Sequence, residues 1–268
     1  MTTPPTPILL AGAGRMGGAL IAGWRLAGAF APGDLIVRDP DPGSEALAAR
    51  DAGASLNPPD AALATANTVL FAVKPQRWRD AAVEILAHLA PDAMVVSIMA
   101  GVGADELDQV FAGRAVARAM PTTAAAVGKS VTGLYAVDPR ARARARALFE
   151  PVGSVIDLEG EDSMHAVTAA SSSAPAFFYA FVEALRAAAV TAGLPPATAA
   201  RLVAGAVTGA AALMERTGED PAALRRQVTS PGGTAQAALD VLAGPGGLDD
   251  LMARAVAAAV ERSKMLGK

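Results

Sequence analysis

The chain has 268 residues, a formal net charge of −3 and no cysteine. Its length suits one large domain or two ordinary ones, and the lack of cysteine excludes disulfide frameworks, thiolate metal sites and cysteine nucleophiles. Since His88 and His165 are its only histidines, histidine-rich metal sites are excluded as well. The near-neutral charge argues against a nucleic-acid partner, so we predict neither a bound metal nor bound nucleic acid.

Apolar residues make up 52% of the chain and charged residues 18%, which raises the question of a membrane. The longest stretch without Lys, Arg, Asp or Glu, residues 163–182, contains His165, Thr168, four serines and Pro175. We interpret it as a buried helix, not a span. The N-terminal MTTPPTP has no positive charge and is not a secretory signal. We predict a cytoplasmic protein, without a membrane partner, whose alanine-rich helices pack against another subunit.

The first 160 residues alternate short apolar runs with segments of helical composition. Strands are predicted at residues 8–11, 35–37, 68–73, 94–98, 115–119, 131–135 and 155–158. Helices are predicted at residues 16–29, 76–89, 104–111 and 139–149. Apolar strands between helices indicate a parallel sheet covered on both faces, which is the doubly wound α/β pattern of Rossmann-type domains.

The pattern changes after a polar break at residues 159–162. Beyond it only helices are predicted, at residues 163–193, 195–217, 221–228, 234–243 and 248–266. We therefore predict two domains, a dinucleotide-binding domain over residues 1–160 and an all-helical domain over residues 161–268. The alternating arginines of residues 140–146 are interpreted as a solvated helix face, with a phosphate patch as the alternative.

The segment Gly12-Ala13-Gly14-Arg15-Met16-Gly17 matches the pattern G-x-G-x-x-G between the first predicted strand and the first predicted helix. Gly12 permits a tight turn, Gly14 lets the backbone approach a pyrophosphate, and Gly17 allows close packing of the helix on the strand. The helix N-terminus then offers free N–H groups to the anion. A glycine-rich connection without a ligand is the alternative.

The end of the second predicted strand carries both Arg38 and Asp39. An acidic residue here accepts a hydrogen bond from the ribose 2′-OH of NAD, whereas an arginine accommodates the 2′-phosphate of NADP. Either residue can point towards the cofactor, so the sequence leaves NADPH and NADH both open.

Three further segments are candidates for ligand binding. Lys74 follows a parallel strand, where ligands bind in open α/β sheets, although a surface lysine fits equally well. Residues 230–234, SPGGT, precede a predicted helix with Thr234 as its N-cap, which suits a carboxylate site or a plain interhelical loop. Residues 171–175, SSSAP, suit a close helix contact or a ligand, and Pro175 should kink or start a helix.

Together these residues resemble the pyrroline-5-carboxylate reductase family over nearly the whole chain. The matching segments are GAGRMGGAL at 12–20, AVKPQ at 72–76, SIMAGV at 97–102, RAMPTT at 118–123, VTAASSSAPAFFYAFVEAL at 167–185, GLP at 193–195 and SPGGTAQAAL at 230–239. The resemblance implies an N-terminal Rossmann domain and a helical C-terminal domain for dimerisation and substrate binding. It also implies a dimer, often assembled as a pentamer of dimers, that reduces a small cyclic imino acid with NADPH or NADH.

The family's functional residues carry over to matching positions of this chain. The cofactor would contact Gly12, Ala13, Gly14, Arg15, Met16, Gly17, Arg38, Asp39, Ala72, Val73, Lys74, Pro75, Ile98, Met99 and Ala100. The substrate carboxylate would contact Ser230, Gly232, Gly233, Thr234 and Ala235, with Thr234 as the candidate catalytic residue.

The chain departs from the family pattern at four positions within or next to the matched segments. Thr122, Ala124, Ser172 and Ala235 stand where the family usually has asparagine, proline, glycine and a second threonine. The threonine hydroxyl missing at Ala235 is the group expected to bond the substrate's ring nitrogen. The implied activity is reduction of Δ1-pyrroline-5-carboxylate to L-proline.

Three other functions remain as alternatives. The first is a reductase of a different cyclic imine, and the second is a non-catalytic dinucleotide-binding regulator. The third, a 3-hydroxyacid dehydrogenase, is disfavoured because residues 163–193 lack the lysine that such enzymes carry on their long helix.

Overall fold

The structure is a computed structural model and describes residues 5–111 and 113–266 of the chain. These residues form two compact units. One contains the residues up to Ser173 together with those from Ala258 onward, and the other contains Ala174–Ala257.

The first unit is built on an eight-stranded sheet. Its strands are β1 Ile8–Ala11, β2 Leu35–Arg38, β3 Ser55–Leu56, β4 Thr68–Phe71, β5 Met94–Ser97, β6 Val116–Met120, β7 Ser130–Tyr135 and β8 Gly153–Asp157. They lie in the order β3-β2-β1-β4-β5-β6-β7-β8. Every predicted strand is present, whereas β3 is not among the predictions because two residues carry no periodic pattern.

The direction of β7 corrects the prediction of a wholly parallel sheet. β7 runs antiparallel to β6, while all other neighbouring strands are parallel. The connection over residues 121–129 holds only the 3-10 turn Thr123–Val127, and a parallel return needs a crossover of a dozen or more residues. A helix between β7 and β8 supplies such a crossover, and that pair is parallel.

Helices connect and cover these strands. In this unit they are α1 Arg15–Ala27, α2 Ser44–Asp51, α3 Trp78–Leu86, α4 Ala104–Val110, α5 Pro139–Phe149 and α6 Met164–Val167. The sequence does not predict α2, since its buried residues are the two alanines Ala46 and Ala49, which produce only a weak apolar periodicity.

The sheet is buried on both faces, as the doubly wound prediction requires. In β1, Ile8 and Leu10 join one apolar cluster, and Leu9 and Ala11 join the other. Successive side chains of a strand point to opposite faces, so a continuous apolar run suits a strand between two helical layers. The first cluster includes residues of α1 and α5, and the second includes residues of α3 and α4.

The single helix predicted over residues 163–193 is interrupted in the structure. The short α6 is followed by a π-helical turn, Thr168–Ser172, and a new helix, α7, spans Ala174–Thr191. Pro175 lies in the first turn of α7, where no backbone N–H is needed within the helix. The prediction that Pro175 starts a helix is therefore confirmed, whereas the prediction of one continuous helix is wrong.

Among its described residues the second unit contains helices joined by loops and no strand. It contains α7, α8 Pro196–Thr217, α9 Pro221–Gln227, α10 Thr234–Leu242 and the first part of α11 Leu248–Leu266. No residue of α7 is buried within the single chain, and Phe178 is 64% exposed. The prediction of a buried helix over residues 163–182 is therefore wrong for one chain alone. Glu161–Thr191 and Pro196–Thr217 are long and apolar enough to cross a membrane, by length and composition only.

Candidate functional site

The carboxyl ends of β1, β2, β4 and β5 form one edge of the sheet. Ala11 of β1 is level with Arg38 of β2 and with Phe71 of β4, and Phe71 is level with Ser97 of β5. The strand order reverses between β1 and β4, because β2 lies on one side of β1 and β4 on the other. In open α/β sheets this switch point is where nucleotides bind.

Gly12 and Gly17 are held in tight backbone contacts at this edge. Gly12 has φ 95°, and a Cβ placed on it would lie 2.8 Å from the Ala72 carbonyl oxygen. Its N–H donates to the Arg38 carbonyl at 2.8 Å. A Cβ on Gly17 would lie 2.2 Å from the Gly12 carbonyl oxygen. Both positions therefore require glycine for the turn and for the seating of α1 on β1.

Gly14, by contrast, faces open space. A Cβ placed on it would have no atom within 4 Å. Gly14 precedes α1, whose first-turn N–H groups, beginning with those of Arg15 and Met16, have no acceptor within the helix. The Gly18 N–H bonds back to the Gly14 carbonyl at 2.7 Å. An open backbone at the positive end of a 13-residue helix fits a pyrophosphate.

The structure separates the directions of Arg38 and Asp39, which the sequence leaves open. The Asp39 carboxylate lies against the glycine-rich loop, where its Oδ2 accepts a hydrogen bond from the Ala13 N–H at 2.5 Å. The Arg38 guanidinium instead forms an ion pair with Asp60. Asp39, rather than Arg38, is therefore the residue placed beside the nucleotide loop.

Two residues that the sequence analysis missed hold this arrangement. The Asn57 side chain accepts a hydrogen bond from the Asp39 N–H at 3.0 Å and donates to the Asp39 carbonyl at 2.8 Å. Asp60 binds Arg38 and lies 3.6 Å from His88. Of the two residues, only Asn57 carries a signal in the sequence, because asparagine tolerates the left-handed backbone conformation, φ 47°, that the structure has at this position.

The segment after β4, residues 72–75, lies at the same edge of the sheet. The Ala72 N–H donates to the Ala11 carbonyl at 2.8 Å, which ties the end of β4 to the end of β1. Ala72 and Val73 are half-buried, Lys74 is exposed, and Pro75 begins a short 3-10 turn. The Lys74 ammonium is thus free to approach a ligand at this edge.

The segment after β5, residues 98–100, is predicted to lie near the nicotinamide end of the cofactor and follows the same edge of the sheet. Ile98 and Met99 are 8% and 2% exposed, and each joins a core cluster of the sheet. Their N–H groups are also used, by the Phe71 carbonyl at 3.1 Å and the Ser97 hydroxyl at 3.3 Å. Only Ala100 of the three is half-exposed. The side chains of Ile98 and Met99 therefore belong to the hydrophobic core at this end of the sheet.

In the second unit, the loop predicted to bind an anion precedes α10, but the N-cap of that helix is not the predicted residue. Gly233, not Thr234, is the N-cap, and α10 begins at Thr234. The Gly233 N–H already donates to the Ser230 carbonyl at 3.0 Å, so it is not free for a ligand. The prediction of Thr234 as the cap is therefore wrong. Gly232, with φ 68°, supplies the turn that brings the chain back to Ser230.

The N–H groups of Thr234 and Ala235 remain in the first turn of the nine-residue α10, without acceptors in the helix. The Ala237 N–H donates to the Gly233 carbonyl at 3.2 Å, which marks the start of the regular helical pattern. Thr234 is exposed and Ala235 is half-buried. This loop can hold a carboxylate through two adjacent N–H groups, with the Thr234 hydroxyl beside them.

Comparison with known proteins identifies similar families, relatives and solved structures. Residues 161–266 match the family described as pyrroline-5-carboxylate reductase dimerisation, and residues 7–101 match that described as NADP oxidoreductase coenzyme F420-dependent. The chain is 38% identical to a pyrroline-5-carboxylate reductase of Synechocystis, over 96% of this chain and 97% of that protein. A solved pyrroline-5-carboxylate reductase of Coxiella burnetii is 31% identical, with a TM-score of 0.87, over 98% of this chain and 99% of that one.

A third relative is more distant in sequence and shares the fold. It is the pyrroline carboxylate reductase of Plasmodium falciparum, solved with NADP bound, which is 23% identical with a TM-score of 0.84. The alignment covers 99% of this chain and 100% of that one, so both units of the fold are shared.

Proposed function

Because the chain belongs to the pyrroline-5-carboxylate reductase family, we propose that it reduces Δ1-pyrroline-5-carboxylate to L-proline with NADPH or NADH. The observation that carries this proposal is the sequence similarity to a named reductase along nearly the full length of both chains. The nucleotide loop and the carboxylate loop both have backbone geometry suited to their anions, which supports the same activity.

The cofactor would be held chiefly by backbone groups. The loop from Gly12 to Gly17 would bind the pyrophosphate, since Gly14 is open and the α1 N-terminus is positively polarised. Asp39 and the segments at Ala72–Pro75 and Ile98–Ala100 would flank the remaining parts. When bound, the reduced nicotinamide supplies the hydride that adds to the substrate's C=N carbon.

The substrate would be held by the loop before α10. The N–H groups of Thr234 and Ala235 would donate to its carboxylate, with Ser230, Gly232 and Gly233 shaping the turn. The exposed Thr234 hydroxyl is the group we assign to the ring nitrogen, because Ala235 has no hydroxyl to offer.

The chain's residues need only hold the reactants in a productive geometry. A protonated cyclic iminium is already electrophilic, so orientation can supply much of the rate enhancement. Because the iminium nitrogen is already protonated, no general acid is required, and a threonine hydroxyl suffices to orient that nitrogen. This chemistry agrees with the polar groups described above, which are backbone N–H groups that donate to the carboxylate and a hydroxyl that accepts from the iminium N–H.

The order of elements and the exposed apolar helices support a domain assignment and an assembly. We assign residues 1–160 to nucleotide binding and residues 161–268 to dimerisation and substrate binding. The apolar faces of α7 and α8 are exposed in a single chain, and both helices lie inside the segment that matches the dimerisation family. Packing in a homodimer, with a pentamer of dimers as the larger assembly, would cover them without a bilayer. The protein would then be cytoplasmic.

A substrate panel with the purified protein tests the function. Oxidation of NADPH and NADH should be followed at a fixed protein concentration with the five-membered and six-membered cyclic imino acids. The proposal expects the highest kcat/KM with Δ1-pyrroline-5-carboxylate and proline as the product. A higher kcat/KM for the six-membered ring would instead establish a different imine reductase, and no turnover would establish a nucleotide-binding protein without this activity.

A further inference from the structure

Resting on the proposed reductase function, we propose that this chain selects NADH over NADPH, and that Asp60 contributes by holding Arg38 away from the nucleotide. At the glycine-rich loop, the Asp39 carboxylate would accept hydrogen bonds from the ribose hydroxyls. Asp60 would act as a positioning residue, because it neutralises the one cation next to Asp39 in the chain. Both cofactors would enter the site, and they would differ in affinity.

Four hydrogen bonds fix Asp39 in place, two on its carboxylate and two on its backbone. Its Oδ2 accepts from the Ala13 N–H at 2.5 Å, and its Oδ1 accepts from the Asp41 N–H at 2.8 Å. The backbone of Asp39 is clamped on both sides by the Asn57 side chain. The carboxylate therefore cannot swing away from the loop without breaking contacts at Ala13 and Asp41 together.

A fixed carboxylate at this position discriminates between the cofactors by charge. A ribose 2′-OH can donate a hydrogen bond to Asp39, as acidic residues after the second strand do in NAD sites. A 2′-phosphate would place a second anion beside the same carboxylate, and like charges placed together in a binding site are strongly unfavourable. The exposed Asp41, two residues on, adds to the negative charge of this turn.

The cation that would offset this repulsion is already paired. One oxygen of Asp60 binds the Arg38 guanidinium, and its other oxygen lies 3.6 Å from His88 Nε2. The Arg38 side chain is 27% exposed, which is less than the 57% of Asp60. The Arg38 side chain is held by Asp60, while the Asp39 carboxylate contacts Ala13 of the glycine-rich loop. Asp39, Asp41 and Asp60 together outweigh Arg38 in charge.

Direct binding measurements test this selection. Titrations of the intact protein with NADH and with NADPH, without imino acid, should be followed by cofactor fluorescence and by calorimetry. The Kd for NADPH should exceed that for NADH by about tenfold or more. An equal or lower Kd for NADPH would overturn the proposal. Since no substrate is present, a failure of imino-acid reduction would be a separate result.

Two variants assign the effect to its residues. Asp39→Ser should weaken NADH binding and strengthen NADPH binding, so that the ratio of the two Kd values falls by about tenfold. Asp60→Asn should strengthen NADPH binding several-fold and leave NADH unchanged, because it frees Arg38 without touching the ribose site. Adding Arg38→Ala to Asp60→Asn should abolish that gain.

A matched control separates the local pair from general surface charge. Asp51→Asn removes one carboxylate from the exposed pair with Arg50 and should leave both Kd values unchanged. If Asp60→Asn changes NADPH affinity no more than Asp51→Asn does, the role assigned to Asp60 is overturned. Circular dichroism and the Tm of each variant establish that the fold is retained, so an altered Kd reports on the site.

Discussion

The Glu161 carboxylate oxygen Oε1 accepts a hydrogen bond from Arg118 Nη1 at 2.6 Å, and the Arg118 side chain is only 4% exposed. The same oxygen accepts from the Ala104 N–H at 2.6 Å, at the start of α4. One carboxylate therefore joins β6, α4 and the segment that follows β8. Arg118 Nε has no hydrogen-bond partner among the described residues, so Glu161 is the main compensation for a buried charge.

We expect Glu161→Gln to destabilise the fold by about 3 kcal/mol, because the variant leaves the Arg118 charge buried without a counter-charge. Urea unfolding at a fixed protomer concentration measures the change. Glu150→Gln is the matched control, since Glu150 pairs with Arg146 on the surface and should contribute less than about 1 kcal/mol. Equal losses in the two variants would contradict the role given to Glu161.

Two glycines of the nucleotide loop should separate binding from folding. Gly14→Val should leave the Tm unchanged, because its side chain enters open space, but should weaken nucleotide binding by at least about tenfold through a clash with the pyrophosphate. Gly17→Ala should lower stability by about 1–3 kcal/mol, since its Cβ would collide with the Gly12 carbonyl. Cofactor titration and thermal unfolding of both variants are the measurements. Unchanged cofactor affinity in Gly14→Val would remove this loop from the site.

Substitutions at Ala235 test the carboxylate loop. Ala235→Pro removes one of the two N–H groups assigned to the carboxylate and should raise KM for the imino acid by about tenfold or more. Proline is tolerated in a first helical turn, and the start of α10 should move by no more than about one residue. The KM is measured by steady-state kinetics with Δ1-pyrroline-5-carboxylate. An unchanged KM would show that the Ala235 N–H does not hold the carboxylate.

Ala235→Thr introduces the hydroxyl that the family resemblance implies for this position, so we expect an unchanged or higher kcat. Ala235→Val is the matched control, because it has the same shape as threonine without the hydroxyl. A higher kcat in the threonine variant alone would assign the gain to a hydrogen bond with the ring nitrogen. A loss of more than about tenfold in kcat/KM, roughly 1.4 kcal/mol, would indicate a pocket shaped for another imine.

The exposed faces of the second unit should be buried between subunits. Sedimentation at micromolar concentration should show a dimer or a larger assembly and no stable monomer. Phe178→Glu, at a side chain 64% exposed on α7, should increase the monomer fraction, because a charge cannot be buried in an apolar interface without a partner. Val83→Glu is the control at an equally exposed position on α3, 70% exposed. A wild-type monomer would contradict the assembly proposal.

The cap of α5 predicts a pH dependence. Hydrogen bonds from Arg140 hold the pKa of Asp138 down to about 2, and Asp138 Oδ1 caps the helix through the Arg140 N–H at 2.7 Å. Because the folded pKa is below the ordinary 3.8, the ionised cap stabilises the fold above about pH 4. That contribution is lost as the pH falls towards 2.

Asp138→Ala should therefore cost about 1 kcal/mol at neutral pH, and the difference from wild type should shrink below about pH 4. Thermal unfolding across that range measures it. Asp138→Asn keeps a capping oxygen but loses the ion pair, so it should retain most of the neutral-pH stability. A difference that grows on acidification would contradict this account of the cap.

Local patterns in the sequence indicate the nucleotide loop and most of the elements, although α2 and β3 carry too little periodicity to be predicted. The continuous apolar runs of β1, β4 and β5 indicate strands buried on both faces, because each face must meet a helical layer. The spacing of Gly12, Gly14 and Gly17 is set by contacts within one strand–turn–helix unit, so neighbouring residues carry the whole signal. The predicted roles of Gly12 and Gly17 agree with the backbone contacts found there.

Contacts between distant residues decide the details of the site. Asp39 faces the loop because Asn57 and Asp60, eighteen and more residues later, hold the two sides of its turn. Glu161, part of a polar break in the sequence, becomes the partner of a buried arginine 43 residues away. Hydrogen bonds and ion pairs of this kind depend on which strands lie side by side. Side-chain direction at Asp39 and charge compensation at Glu161 are therefore properties of the tertiary structure, because no local period encodes them.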